Sequence, residues 1–294
     1  MGQLIYYISD FIWTLFTGFV FSTVGAAGGI LASFGFITVL HIQAANSVKV
    51  MSQILIIVSP VIALPIYLRQ DRVKQIKSIL FYLGFIIAAG AIFGALLGSW
   101  FSKNFLFELK SFKYLFGYLT FLVVAMMFYN ILKQRKKKEP EQDKNNNNQE
   151  KYNLPSVVKF SIKKIDFRCL RKDYSVSPIM LFIAGLVIAA LSSIFGVGGG
   201  FLIVPFLTDA IGLPVFLAAG ISILVVFISS LTSVSNYIRM GVPVIFPILS
   251  VTLAGVIIGS IIGPKISQRL NEKMLKFILM ALLVVIGAFY VIKP

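Results

Sequence analysis

Ten apolar stretches constrain this chain more than any other feature, five on each side of a charged middle. In the first half they run roughly over 4–24, 30–40, 50–68, 79–100 and 114–132. In the second they cover roughly 178–195, 201–211, 215–237, 244–262 and 274–292. About 20 helical residues cross a bilayer. The second stretch of each half has only about 11, or roughly 17 Å of helix, half of that depth. Charged residues make up 13% of the 294 residues and mean hydropathy is +0.90. A soluble domain carries about 25% charged residues to cover its surface. These values exclude a soluble globular enzyme and a disordered chain, and one cysteine excludes a disulfide scaffold. The chain reads as an all-α polytopic membrane protein.

The two halves repeat one another. Ser22-Thr23-Val24-Gly25-Ala26-Ala27-Gly28-Gly29-Ile30-Leu31 parallels Ser193-Ile194-Phe195-Gly196-Val197-Gly198-Gly199-Gly200-Phe201-Leu202. Tyr67-Leu68-Arg69 parallels Tyr237-Ile238-Arg239, and Gly90, Gly94 and Gly98 parallel Gly255, Gly259 and Gly263. Val123-Val124 and Phe128-Tyr129 match Val284-Val285 and Phe289-Tyr290. Four matches kept in order mark an internal duplication. It divides the chain into a first membrane repeat (1–132), a charged linker (133–177) and a second membrane repeat (178–294).

Within the linker, Lys133 to Asp173 holds 13 basic and 6 acidic residues, half of all charges. Such polar sequence buries too little apolar area to fold by itself, so a solvated segment is expected. The total charge is +16, of which +9 lies on the membrane halves. Read as topology information, that excess needs no nucleic-acid partner. Cys169 falls in the linker, as expected for a reduced cytoplasmic thiol without a role. No basic segment precedes the first apolar stretch, which argues against a cleaved signal peptide.

A glycine cluster precedes each short stretch. Glycine breaks helices and permits tight turns, so the first two stretches of each half are expected to enter the membrane, break and return. A re-entrant pair adds no net crossing, and the other three stretches add three. The odd count makes the halves inverted-topology repeats, each a re-entrant broken-helix pair plus three transmembrane helices. With the linker in the cytoplasm, inversion keeps Arg69, Arg72, Lys74, Lys77, Lys265, Arg269, Lys273 and Lys276 inside, as the positive-inside rule requires. Parallel halves would export the last four. Both termini are then outside, in a multi-pass protein of the plasma membrane.

Inverted repeats with broken helices at mid-membrane are the plan of secondary transporters. A helix N-terminus offers free N–H donors and about half a positive charge. Glycine lets an oxyanion approach those amides closely. The candidate substrate-binding residues are therefore Gly25, Gly28 and Gly29 in the first half, with Gly196, Gly198, Gly199 and Gly200 in the second. Ser22, Thr23, Ser192 and Ser193 add hydroxyl donors. The glycines at 90, 94, 98, 255, 259 and 263 are read as helix-packing positions instead.

At these residues the sequence resembles the sulfite exporter TauE/SafE family of membrane transporters. Its members carry a Gly-x-Gly-Gly-Gly-Phe-Leu-x-x-Pro type motif, matched by Gly196-Val197-Gly198-Gly199-Gly200-Phe201-Leu202-Ile203-Val204-Pro205. The first half keeps Gly25-Ala26-Ala27-Gly28-Gly29-Ile30-Leu31, without the middle glycine and the proline. Lys49 and Ser222 hold positions of the family's small-residue turns. The resemblance implies transport of small sulfur-containing oxyanions such as sulfite or organosulfonates. It adds Lys49 and Ser222 to the binding set.

Ionisable residues within a membrane are functional candidates by default. His41 and Asp209 end the short stretches, where an interfacial place competes with a proton relay. Arg69 and Arg239 end the third stretches. They read as anchors, or under inversion as anion-attracting gates on opposite faces. Protons are the coupling ion considered, although no residue clearly supplies that function. One histidine and one linker cysteine cannot build a zinc site, and no nucleophile–base motif appears, so neither an enzyme, a metal nor a cofactor is expected. Few buried carboxylates argue against a cation channel. The alternatives kept open are transport of another small anion and a non-transporting membrane scaffold. The oligomeric state is not legible.

Overall fold

The computed structural model describes residues 2–24, 28–69, 71–136, 157–160, 164–169, 172–267 and 272–292. Five helices of the first half are α1 (Gly2–Val24), α2 (Gly28–Phe34), α3 (Ala45–Leu68), α4 (Asp71–Phe105) and α5 (Leu109–Lys136). Three strands follow: β1 (Val157–Phe160), β2 (Ile165–Cys169) and β3 (Lys172–Val176). The second half repeats the helices as α6 (Pro178–Phe195), α7 (Gly200–Pro205), α8 (Val215–Arg239), α9 (Phe246–Ser267) and α10 (Glu272–Ile292). Among the described residues, five apolar segments are long enough to cross a membrane: Ala45–Ile62, Lys77–Phe105, Leu109–Tyr129, Pro178–Phe195 and Phe216–Arg239. Ile8–Val20, Phe246–Ile262 and Leu279–Ile292 form shorter apolar cores within α1, α9 and α10. The protein is a multi-pass helical membrane protein, as its apolar stretches require.

The duplication is written into the backbone. Both short helices loosen into a five-residue π-helical turn, Gly35–Val39 after α2 and Phe206–Ala210 after α7. Leu40 N–H bonds the Gly35 carbonyl, and Ile42 N–H bonds that of Phe36. Ile211 to Phe206 and Leu213 to Leu207 repeat this pattern at an offset of 171 residues. Each half-helix then turns through a left-handed residue, His41 (φ 48°) or Gly212 (φ 82°), again 171 apart. The tetrapeptide His41–Ala44 becomes a tripeptide in the second half, and the offset falls to 170 at the helices that follow.

The first half-helix doubles back along its predecessor. Trp13, midway along α1, donates its indole N–H to the Leu31 carbonyl (2.9 Å). Its ring lies against Gly35, where a side chain would collide with it. Ser33 and Ser52 share a hydrogen bond of 2.9 Å between α2 and α3. The segment from α2 through its π turn thus lies between α1 and α3, meeting the first part of α3 at Ser52.

Glycines set the helix pairings. Gly90, Gly94 and Gly98 of α4 sit against the backbone at Phe182, Leu186 and Ala190 of α6. Gly255 and Gly259 of α9 sit against Thr14, Phe11 and Leu15 of α1, and Gly18 of α1 against Val256. No Cβ fits at these contacts, so the axes approach more closely than larger residues allow. The fourth helix of each half therefore packs, in parallel, on the first helix of the other. The third helices run in opposite directions. The start of α3 meets the ends of α4 and α8 through Asn46 to the Lys103 carbonyl (3.4 Å) and Lys103 to the Met240 carbonyl (2.5 Å). The fifth helices also oppose one another, with Gly117 near Gly287 and Tyr290.

The linker differs from the expectation of a wholly solvated segment. Its later part forms an antiparallel sheet in the order β1-β2-β3. Alternation in Ile165-Asp166-Phe167 turns Ile165 and Phe167 to one face. With Val176 they are buried in an apolar cluster that includes Leu80, Leu83, Leu207, Leu213 and Leu217. Phe167 also stacks on Tyr174 at 5.3 Å. Counting charge over the whole linker hid this short apolar periodicity. Residues 137–156, including the asparagine run, lie outside the described residues.

Candidate functional site

The two glycine-rich breaks meet. At the second, Ser192 and Ser193 end α6, which is closed by Gly196 in the left-handed conformation (φ 71°). Gly198 is also left-handed (φ 73°), and Gly199 and Gly200 start α7. Two left-handed positions within three residues account for the glycines at 196 and 198. The Gly28 and Gly29 backbone starts α2 and is buried. Gly29 touches the carbonyl of Val197 so closely that a methyl there would overlap it. Ile56, halfway along α3, touches both Gly29 and Gly198. A cavity of about 10 Å³ lies alongside, lined by Thr17, Gly18, Gly28, Leu55, Ile56 and Val256. That is room for about one water, so the breaks are closed against each other.

Side chains from three helices hold the second break. Three successive carbonyls at the end of α6 each accept a hydrogen bond from another element. Gln53 of α3 donates to the Ser192 carbonyl (3.4 Å), Tyr237 of α8 to that of Ser193 (2.9 Å) and Ser102 of α4 to that of Ile194 (2.9 Å). The Ser193 and Ile194 carbonyls are among those that a helix end leaves without intrahelical partners, whereas that of Ser192 also accepts from the Gly196 and Val197 N–H groups (2.8 and 3.2 Å). The Oε1 of Gln53 is buried and lacks a hydrogen-bond partner. An amide beside the break can turn either its carbonyl or its NH₂ toward a guest.

Lys49 supports the break from behind. Its Cα lies against Gly196, and the side chain is 0% exposed. The ammonium donates to Asn46 Oδ1 (3.1 Å), Ser102 Oγ (2.7 Å) and the Leu106 carbonyl (2.6 Å). It also lies 4.7 Å from the centre of the Phe112 ring. All three N–H donors are thus engaged in this closed arrangement. Through Ser102 the positive charge reaches the carbonyl end of α6, the favourable end of the helix dipole for a cation.

The remaining candidates are spread more widely. Ser222 is buried on α8. Arg69 and Arg239 are exposed at the ends of α3 and α8, and His41 and Asp209 are exposed at the ends of the half-helices. Gly25 and the side chains of Ser22 and Thr23 lie outside the described residues. Sequence reasoning missed Gln53 and Ile56, which sit inside the third apolar stretch without a motif, and Ser102, which lies just beyond the fourth. Tyr237, which enters the sequence reading only as part of the repeat, is fully buried and its hydroxyl caps α6. No group of three His, Cys, Asp or Glu suited to a metal occurs among the described residues.

A helical membrane protein with two duplicated, broken-helix elements that meet has the architecture of a membrane transporter. The chain belongs to the sulfite exporter TauE/SafE family, whose model matches residues 11–290. It is also similar to a probable membrane transporter protein of Methanocaldococcus jannaschii, 42% identical over 66 residues. That segment covers 21% of this chain and a quarter of the relative's length. No solved structure matches the chain. Membership of a transporter family places the protein among carriers and not among enzymes.

Proposed function

We propose that the protein carries a small sulfur-containing oxyanion, sulfite or an organosulfonate, by alternating access around the paired breaks. The observation that carries this reading is the backbone contact between Gly29 and Val197, which brings the two duplicated breaks together. Separating them would open a compartment lined by the amides at Gly28, Gly29, Gly199 and Gly200. Gly196 and Gly198 form the second turn, and Gly25 is assigned to the first by its place in the repeat. Ser22, Thr23, Ser192, Ser193 and Ser222 supply hydroxyls, and the buried Lys49 supplies positive charge from behind. Arg69 and Arg239 attract the anion at the two mouths.

Opposed directions of α3 and α8, and of α5 and α10, support inverted halves. On that arrangement the linker is cytoplasmic in the plasma membrane and both termini are outside. An inside-negative potential of 100 mV then favours outward movement by about 2.3 kcal/mol per net negative charge carried.

Flux into liposomes holding the purified protein tests the reading, with sulfite, sulfoacetate, sulfate and thiosulfate as solutes. A methyl at Gly199 meets only side chains, the nearest being Ile188 at 3.1 Å. Gly199→Ala is therefore expected to fold and keep part of the flux, and Gly199→Leu to fold and lose it. Full flux in a folded Gly199→Leu protein would remove the breaks from the pathway.

A further inference from the structure

Helix α1 carries a buried polar stripe that the breaks do not use. Asp10, Thr14 and Thr17 are 1%, 2% and 3% exposed. Spacings of four and seven residues put them on one face of a helix. Thr14 Oγ1 donates to the Asp10 carbonyl (2.8 Å) and Thr17 Oγ1 to that of Trp13 (3.0 Å), leaving both hydroxyl oxygens able to accept. The stripe begins at the carboxyl group, whose Oδ2 is buried without a hydrogen-bond partner. It ends at Thr17, which lines the cavity beside Gly28. The opposite wall is α9, where Gly255 and Gly259 keep the two helices close.

Among the described residues, no element packed on α1 brings a charged side chain to Asp10. Neither α2 nor its π turn contains a titratable residue, and α9 has none over Phe246–Ile262. Lys265 lies beyond Gly259, toward the far end of the parallel α1–α9 pair. On α10 the acidic and basic residues Glu272, Lys273 and Lys276 occupy the opposite end from Tyr290. The Tyr290 hydroxyl is paired with Thr38 (3.0 Å), and Lys113 of α5 sits over its ring at 6.0 Å. On α1 itself, Tyr6 and Tyr7 precede Asp10, with side chains outside the described residues. A buried carboxylate without a cation is costly in a membrane, whereas a proton makes it neutral. The equivalent helix α6, Pro178–Phe195, has no ionisable residue, so the group occurs once per molecule.

We propose that Asp10 is the proton-binding residue of the carrier, and that one proton crosses with each anion by way of the Asp10–Thr14–Thr17 stripe. The carboxylate takes up a proton from one compartment when the α1–α9 face opens, and the acid releases it to the other. A proton on Asp10 removes one negative charge from the state that holds the anion, which links the two bindings. This inference rests on the transport reading above.

The test uses the full-length protein in liposomes, with labelled sulfoacetate as the probe and the membrane potential clamped at zero. An opposing pair of pH values, one unit more acidic outside, is expected to drive about tenfold accumulation by the wild type, the ratio for one coupled proton. Asp10→Asn is expected to exchange sulfoacetate across the membrane without accumulating it. Accumulation by Asp10→Asn equal to that of the wild type overturns the inference, as does wild-type flux without accumulation. Absence of any wild-type flux instead overturns the transport reading. Infrared titration of the purified protein then examines Asp10 independently. The carbonyl stretch of a protonated carboxylic acid should be present in the wild type and missing from Asp10→Asn. Identical spectra for the two proteins overturn the proton site.

Discussion

His41 shows how one residue can look functional and act on the backbone. Its residue type suggests a proton relay. Its backbone is left-handed at φ 48°, and the matching position of the second half holds Gly212 at φ 82°. An L side chain in that region costs about 1–2 kcal/mol, and glycine removes the cost while losing more chain entropy on folding. His41→Gly is therefore expected to raise stability by about 0.5 kcal/mol, seen as a small rise in unfolding temperature in detergent. Proton-driven sulfoacetate accumulation should stay at the wild-type level. A loss of accumulation would return the histidine to the relay. The glycines at 196 and 198 were legible because their left-handed backbone admits little else. Asp10 was passed over although a carboxylate inside the first apolar stretch is a candidate by position alone; only its burial was hidden, because that depends on which face of α1 meets α9.

At the scale of elements, the short half-helices were legible almost to the residue. The expected stretches 30–40 and 201–211 correspond to Gly28–Val39 and Gly200–Ala210. Chain length and glycine position determine both, and both are local. The holding of α6 was not legible, because Gln53, Ser102 and Tyr237 come from three distant parts of the chain. Lys49 joins these elements: it ties α3 to Ser102 of α4 and to the Leu106 carbonyl beyond α4. Lys49→Met keeps the stem and removes three hydrogen bonds, leaving the Leu106 carbonyl without its charged donor. A loss of about 2 kcal/mol is expected in detergent unfolding, and about 4 kcal/mol for Lys49→Ala, which also leaves a void. A Lys49→Met protein as stable as wild type but inactive in flux would show that the ammonium serves the anion and not the fold.

The whole molecule is an exchange of partners between two copies of one unit. Helix α1 packs on α9 and α6 on α4, so neither copy closes its own first helix. The third helices and the fifth helices pair with their own counterparts. A repeat in sequence reveals the copies but not this pairing, which depends on glycine faces matching across about 90 residues of intervening chain or more. Inversion of the copies predicts a definite placement of two exposed residues. His41, after the first half-helix, lies outside, whereas Asp209, at the end of the second, lies on the linker side. Cys169 is the only cysteine in the chain. A Cys169→Ser background therefore lets single cysteines at these positions be read without interference. With a membrane-impermeant maleimide on intact cells, His41→Cys should label and Asp209→Cys should label only after the membrane is opened. Labelling of both from outside, or of neither, would make the halves parallel. It would also put the two breaks on the same side of the membrane, where closing one could not open the other.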